Sequence, residues 1–275
     1  MYLVTGANGQ LGNELRLLLK DNALYVDKDQ LDITDAEAVK GFVSANRFDA
    51  IINCAAYTAV DKAEADEKLA GDINARGPEN LAKTGIPLIH ISTDYVFDGT
   101  NCRPYIETDA ANPQSVYGRT KLAGEQAVLE NASAAVIIRS AWLYSEFGNN
   151  FVKTMRRLGA EKAQLNVVFD QVGTPTYAAD LAAAVVHILP RLRPGMKEIF
   201  HFSNEGICSW YDFAVEIMKL SGLDCRINPI ESKDYPTPAR RPFYSVLNKT
   251  KIKQTFNIEI NHWKESLQSC LKHLS

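Results

Sequence analysis

The chain has 275 residues, 46% of them hydrophobic, with a formal net charge of −3 and a pI near 6.0. That length suffices for one large domain and a smaller one, and the weakly acidic balance gives no field that would draw a polyanion, which excludes nucleic acid as a main partner. The five cysteines, at 54, 102, 208, 225 and 270, are odd in number and lack CxxC spacing, so no disulfide framework or zinc knuckle is expected, and no apolar run approaches the roughly 18 residues that span a bilayer.

Met1 to Thr5 is a short apolar run that enters a strand directly, without the basic and small-residue flanks of a secretion signal, so a cytoplasmic protein is expected. Glycine punctuation and Leu11, Leu15, Leu18 and Leu19 at helical spacing follow. Leu24 to Val26 reads as a strand, Asp35 to Val43 as a helix, Ala50 to Cys54 as a strand and Ala65 to Lys83 as one helix. The alternation continues with a strand Leu88 to Ser92, a helix Val116 to Glu130 and a strand Ala135 to Arg139. Continuous apolar strands separated by helices predict an α/β fold, a doubly wound parallel sheet covered on both faces. After Trp142 the alternation weakens and prolines accumulate, with Lys233 to Pro242 a proline-rich loop. Residues 1–147 are therefore expected to form a dinucleotide-binding domain, rejoined by about 163–200 through Val167-Val168-Phe169 and a helix from Ala178 to Leu189; residues 148–275 form mainly a second lobe.

Between the first strand and helix stands Thr5-Gly6-Ala7-Asn8-Gly9-Gln10-Leu11-Gly12. Glycines at 6, 9 and 12 permit a tight turn and close approach of backbone to a pyrophosphate, and the helix start offers unpaired N–H groups. The spacing departs from GxGxxG; its place between strand and helix is what makes it a binding signal. Asp27 follows the second strand, where an acid accepts a hydrogen bond from a ribose 2′-OH and favours NADH, whereas the adjacent Lys28 suits the 2′-phosphate of NADPH. Asp32 and Ile33 are placed to approach the adenine.

The fourth strand delivers Thr93, Asp94 and Tyr95 at its carboxyl end, where parallel sheets present ligand-binding groups. Tyr117 and Lys121 follow at i and i+4 on one helix face. A phenol is a poor proton shuttle at neutral pH, but a cation held beside it lowers its pKa, so Lys121 is expected to tune Tyr117 as an acid while Thr93 polarises a carbonyl. Asn149 and Asn150 suit a pyrophosphate or sugar, or a helix N-cap. Trp142 suits a sugar ring or a core position. Arg240 and Arg241, in a proline-stiffened loop, suit an anionic diphosphate, or are a solvated pair. The histidines show no metal spacing, and no metal site is expected.

These motifs, with Asn53-Cys54-Ala55-Ala56 and Ser92-Thr93-Asp94, resemble the extended short-chain dehydrogenase/reductase family. Within it, Ala59 to Glu64, Ser92 to Gly99, Asn112-Pro113, Gly148 to Met155, Asp170 to Thr176 and Tyr235 to Pro242 are similar to the dTDP-4-dehydrorhamnose reductase family. The resemblance implies a doubly wound lobe, a smaller sugar-nucleotide lobe, cofactor contacts from Gly6, Asn8, Gly9, Gln10, Leu11, Ala55, Ala56 and Asn74, and NAD(P)H-dependent reduction of the C4 keto group of dTDP-4-dehydro-L-rhamnose. Lys121 is then expected to hold the cofactor ribose as well. Members of that family include metal-bridged dimers with an acidic residue near Glu14; here Glu14 alone reads as a solvated helix residue, and the state is monomer or homodimer. Two rivals stay open at this point: a non-catalytic dinucleotide-binding subunit of the S-adenosylmethionine synthetase type, and a reductase or epimerase of another nucleotide keto-sugar.

Overall fold

The computed structural model describes residues 1–274. Six parallel strands form the central sheet: β1 (Tyr2–Thr5), β2 (Ala23–Val26), β3 (Ala50–Asn53), β4 (Leu88–Thr93), β5 (Ala135–Ser140) and β6 (Lys197–His201). Their order across the sheet is β6-β5-β4-β3-β1-β2, so the winding reverses between β1 and β3. A crevice opens at such a reversal, outside the carboxyl ends of the strands.

Because successive strand side chains face opposite ways, the sheet builds two cores. Val4, Ile52, Ile89, Val136 and Ile138 face Leu11 and Leu15 of α1 (Gln10–Leu19). Leu3, Ile51, Leu88 and Ile137 face Val39 of α2 (Ala36–Ser44) and Val128 of α3 (Val116–Asn131). Leu3, Leu15, Ile51 and Ile52 are fully buried, each contributing about 1.5–3 kcal/mol of apolar transfer. Asp35 caps α2, its carboxylate accepting from the Glu37 and Ala38 N–H groups, and Ser115 caps α3 through the Gly118 N–H.

A third core gathers Tyr144, Phe213, Ile217, Trp263 and Leu267. It joins α4 (Phe151–Glu161), α6 (Trp210–Ser221) and α8 (Trp263–His273) to a two-stranded parallel sheet of Gln164–Val168 and Arg226–Ile230. The expected return of Val167-Val168-Phe169 to the first sheet therefore does not occur. The returning elements are α5 (Ala178–Ile188), whose Leu181 and Val185 pack with α1, and β6, which pairs with β5; α7 (Thr250–Phe256) adds Ile252 and Phe256 to the same core. A polar-flanked strand such as β6 has no alternation or apolar run that a single-sequence reading detects.

The expected helix 65–83 forms as one unbroken run, Glu67–Gly71, a π-helical turn Asp72–Arg76 and Gly77–Ala82. The π turn carries Asn74, fully buried, whose amide accepts from the Tyr57 N–H at 2.8 Å and donates to Thr120 Oγ1 at 3.1 Å. Turns of this kind mark functional positions more often than ordinary helix does.

Candidate active site

The glycine turn lies at the β1/β3 reversal. Gly6 has φ +65°, and a Cβ there would fall 2.6 Å from the Ala55 nitrogen; one at Gly12 would fall 2.6 Å from Gly6 O and Ala7 Cα. Only hydrogen fits at either place. Gly9 is the N-cap of α1 and has no side chain to satisfy the helix's first N–H groups, which leaves that helix start without a side-chain cap. Asp27 stands beside the turn, accepting from the Asn8 N–H at 3.1 Å and the Lys28 N–H at 2.8 Å. Ala55 is held by its N–H on Asn53 Oδ1 at 3.1 Å, which also accepts from Thr5 Oγ1 at 2.7 Å. Ala56 follows it in the same segment after β3. The structure turns Ile33 inward, 6% exposed, against Gly77 and the core under the sheet, and Asp32 caps the Thr34 turn at 2.7 and 2.9 Å, which holds its carboxyl below the usual range. The Ile33 side chain thus packs inward.

The end of β4 and the start of α3 bring Thr93, Tyr117 and Lys121 together. The Tyr117 phenol faces the Thr93 hydroxyl, and the Tyr95 ring meets Tyr117 edge-on at 5.4 Å between centroids. Burial pushes the Tyr117 pKa above its ordinary value. Lys121 does not lower it as expected: its ammonium, 1% exposed, donates to the Ile91 carbonyl at 2.6 Å, and burial brings its own pKa down to about 8, against the pull of Glu125 and Cys54. For Lys121, desolvation outweighs those attractions because α3 seats the ammonium under β4.

Asp94, expected to contact substrate, is 2% exposed and turned to Thr93, whose hydroxyl donates to it at 3.0 Å. Tyr95 accepts from Arg241 at 3.1 Å. Arg241 also pairs with Asp61 at 2.7 Å, and Asp61 accepts from the Ala239 N–H at 3.2 Å. The guanidinium expected for a diphosphate is therefore already engaged, while Arg240 is exposed with one long contact, 3.4 Å, to Gln114. Trp142 sits at φ +50° and stacks on Trp210 at 3.6 Å. Asn150 caps α4 through the Lys153 N–H and also donates to Gln10 Oε1 at 3.0 Å, tying the glycine turn to the third core; Asn149 is exposed.

Two groups escaped sequence reading, and Glu14 was read as solvated. Glu125 and Arg139 form a buried fork, Nε–Oε1 2.9 Å and Nη2–Oε2 2.7 Å, with Ser92 donating to the same carboxylate. Glu125 lies four residues after Lys121, so the helical face that nominated Lys121 carried a usable signal. Glu14 is 3% exposed rather than solvated, accepts from Ser145 Oγ at 2.7 Å, and is raised to about pKa 7, because the loop after β5 folds over its side of α1. Ser245 faces Asp94 from the C-terminal stretch and had no local pattern to reveal it.

A parallel sheet of this order, a glycine turn at its reversal and a hydroxyl–phenol–lysine cluster at the strand ends define the class, a Rossmann-like oxidoreductase of the short-chain dehydrogenase type. A family model described as the RmlD substrate binding domain matches residues 1–275, and the chain belongs to that family. It is 41% identical to the dTDP-4-dehydrorhamnose reductase of Aggregatibacter actinomycetemcomitans, over 97% of each chain. Among solved structures, a dTDP-4-dehydrorhamnose reductase from Clostridium acetobutylicum is 46% identical with a TM-score of 0.95, covering 99% of each chain. One from Bacillus anthracis, solved in complex with NADP, is 38% identical with a TM-score of 0.95, covering 99% of this chain and 98% of that one.

Proposed function

We propose that the chain reduces the C4 keto group of dTDP-4-dehydro-L-rhamnose to give dTDP-L-rhamnose, using a nicotinamide dinucleotide. The observation that carries this reading is the hydroxyl–phenol pair of Thr93 and Tyr117 at the strand ends beside the glycine turn, in a chain matched end to end by reductases of that name. The rival reading as a non-catalytic subunit gains no such support.

The turn fits the cofactor: the uncapped start of α1 and the hydrogen-only space at Gly6 and Gly12 suit a pyrophosphate held by Gly6, Asn8, Gly9, Gln10, Leu11 and Gly12. Ala55, Ala56 and Asn74 line the continuation, and Asp27 suits a ribose 2′-OH, which favours NADH, with Lys28 the opposing influence. The bound cofactor supplies the hydride. Tyr117, kept neutral by burial, then holds a proton to give to the alkoxide oxygen as it forms, a favourable transfer because a secondary alkoxide is far more basic than a phenolate. Thr93 orients the ketone, and Lys121, anchored on the Ile91 carbonyl, is assigned to the cofactor ribose. Trp142 and Asn149 are assigned to the sugar and Arg240 to the diphosphate, with Asn150 joining them through Gln10. Arg241 and Tyr95 brace the wall.

The test supplies dTDP-4-dehydro-6-deoxy-D-glucose with a 3,5-epimerase, follows NADH or NADPH oxidation, and identifies the product sugar. Tyr117→Phe should bind cofactor normally and lose roughly 10²–10⁴-fold in kcat. Folded protein that oxidises no cofactor under these conditions overturns the reading.

A further inference from the structure

A threonine hydroxyl has one proton and two lone pairs. In this structure Thr93 spends the proton on Asp94, at 3.0 Å, and accepts the Tyr95 N–H at 3.2 Å. A ketone arriving beside Tyr117 would then find no donor on Thr93. The carboxyl that takes the proton is walled in, 2% exposed; its Oδ2 has no hydrogen-bond partner, and the groups that act on it are hydroxyls and backbone N–H groups rather than cations. Thr93 and Tyr95 face it from its own turn, Tyr117 from α3 and Ser245 from the C-terminal stretch, while the Arg241–Asp61 pair stands beyond Tyr95. A buried carboxylate without a cation is costly, and a fold retains one most readily where it works.

We propose that Asp94 is a positioning residue that sets the direction of the Thr93 hydroxyl: ionised, it holds the Thr93 proton; neutral, it donates its own proton to Thr93 Oγ1 and frees the Thr93 proton for the ketone oxygen. The inference rests on the reductase reading of Thr93 and Tyr117. Burial raises the Asp94 pKa to about 6, with the Ser245 and Thr93 hydroxyls and backbone N–H groups pulling the other way, so both states are reached in the working range. As pH rises through that value Asp94 ionises, Thr93 turns away and kcat falls.

The experiment compares kcat against pH, between about pH 5 and 8, for the wild type, Asp94→Asn and Asp94→Ala, each loaded with saturating cofactor. The asparagine amide can donate to Thr93 at any pH, so Asp94→Asn should flatten the limb centred near 6; Asp94→Ala offers no donor, and at pH 7.5 its kcat should lie roughly tenfold or more below that of Asp94→Asn. In a Thr93→Ala background the two Asp94 variants should become indistinguishable. Because Glu14 titrates near 7 at the lobe boundary, the readout is the difference between variants rather than the wild-type profile alone. An Asp94→Asn profile that keeps the wild-type limb, or an asparagine-to-alanine difference that persists without the Thr93 hydroxyl, overturns the role of Asp94 while leaving the reductase assignment standing. A wild type with no turnover overturns both.

Discussion

The Arg241 guanidinium joins the C-terminal loop to the helical turn at Asp61, nitrogen to carboxylate oxygen 2.7 Å, and the same guanidinium donates to the Tyr95 hydroxyl at 3.1 Å. Tyr95 in turn lies edge-on to Tyr117. The pair is half-buried, and a two-pronged fork is worth more than a point charge in that position. Arg241→Ala and Asp61→Ala should each lower kcat/KM for the sugar nucleotide, and the double variant should lose less than the product of the two, by a coupling of roughly 1 kcal/mol. Strictly multiplicative losses would show that the two residues act separately. Arg241→Lys should restore only part of the activity.

Asp27 bears on the choice between the two dinucleotides. Its carboxylate is positioned by the Asn8 and Lys28 N–H groups; under the proposed cofactor placement a carboxylate there repels a 2′-phosphate and accepts from a 2′-OH. Asp27→Ala should raise the ratio of kcat/KM for NADPH over NADH by about tenfold, the scale of one lost hydrogen bond together with relieved repulsion. A wild type that already prefers NADPH by more than that would mean that Lys28 dominates.

Glu14 gives the stability a pH dependence of defined sign. Burial raises its carboxyl from 4.5 to about 7; the Ser145 hydroxyl opposes the rise, while Glu146 and Asp180 add to it. A raised acid favours the folded state while protonated, so this contribution is complete below about pH 4.5 and is lost as pH climbs to about 7. Glu14→Gln, which mimics the neutral acid, should match the wild type in acid and exceed it at pH 8 by about 1–3 kcal/mol. Thermal unfolding of both proteins at the two pH values measures this; a difference that does not change with pH rules it out.

The Glu125–Arg139 fork sits in the core beneath the site, both side chains at most 4% exposed. Arg139→Met leaves the carboxylate buried without its cation and should destabilise the protein by about 3–5 kcal/mol. The double variant Glu125→Gln with Arg139→Met should recover most of that loss in urea unfolding, since the expense lies in the orphaned charge. A double variant as unstable as the single one would place the loss in packing against Phe97, over which the guanidinium lies at 5.0 Å.

Much of the first half of the fold was legible in the residues themselves. The apolar runs of β1, β3, β4 and β5 and the leucine spacing of α1 report their own burial, because a strand covered on both faces and a helix covered on one each carry a fixed period. The glycine turn and the Tyr117/Lys121 pair were equally local, being set by backbone space and by helical pitch. What the chain order could not reveal is which distant side chains would claim those groups. Ile91 takes the Lys121 ammonium from α3 across to β4, Asp61 claims Arg241 from 180 residues away, and Ser145 and the loop around it bury Glu14. The same limit explains β6, which is recognisable only by its pairing with β5. Sequence alone decided the periodic elements and the residue types available to the site, since these follow from local geometry. Charge state and hydrogen-bond direction were decided by tertiary structure alone, because desolvation and partner choice depend on what the folded chain places around each group.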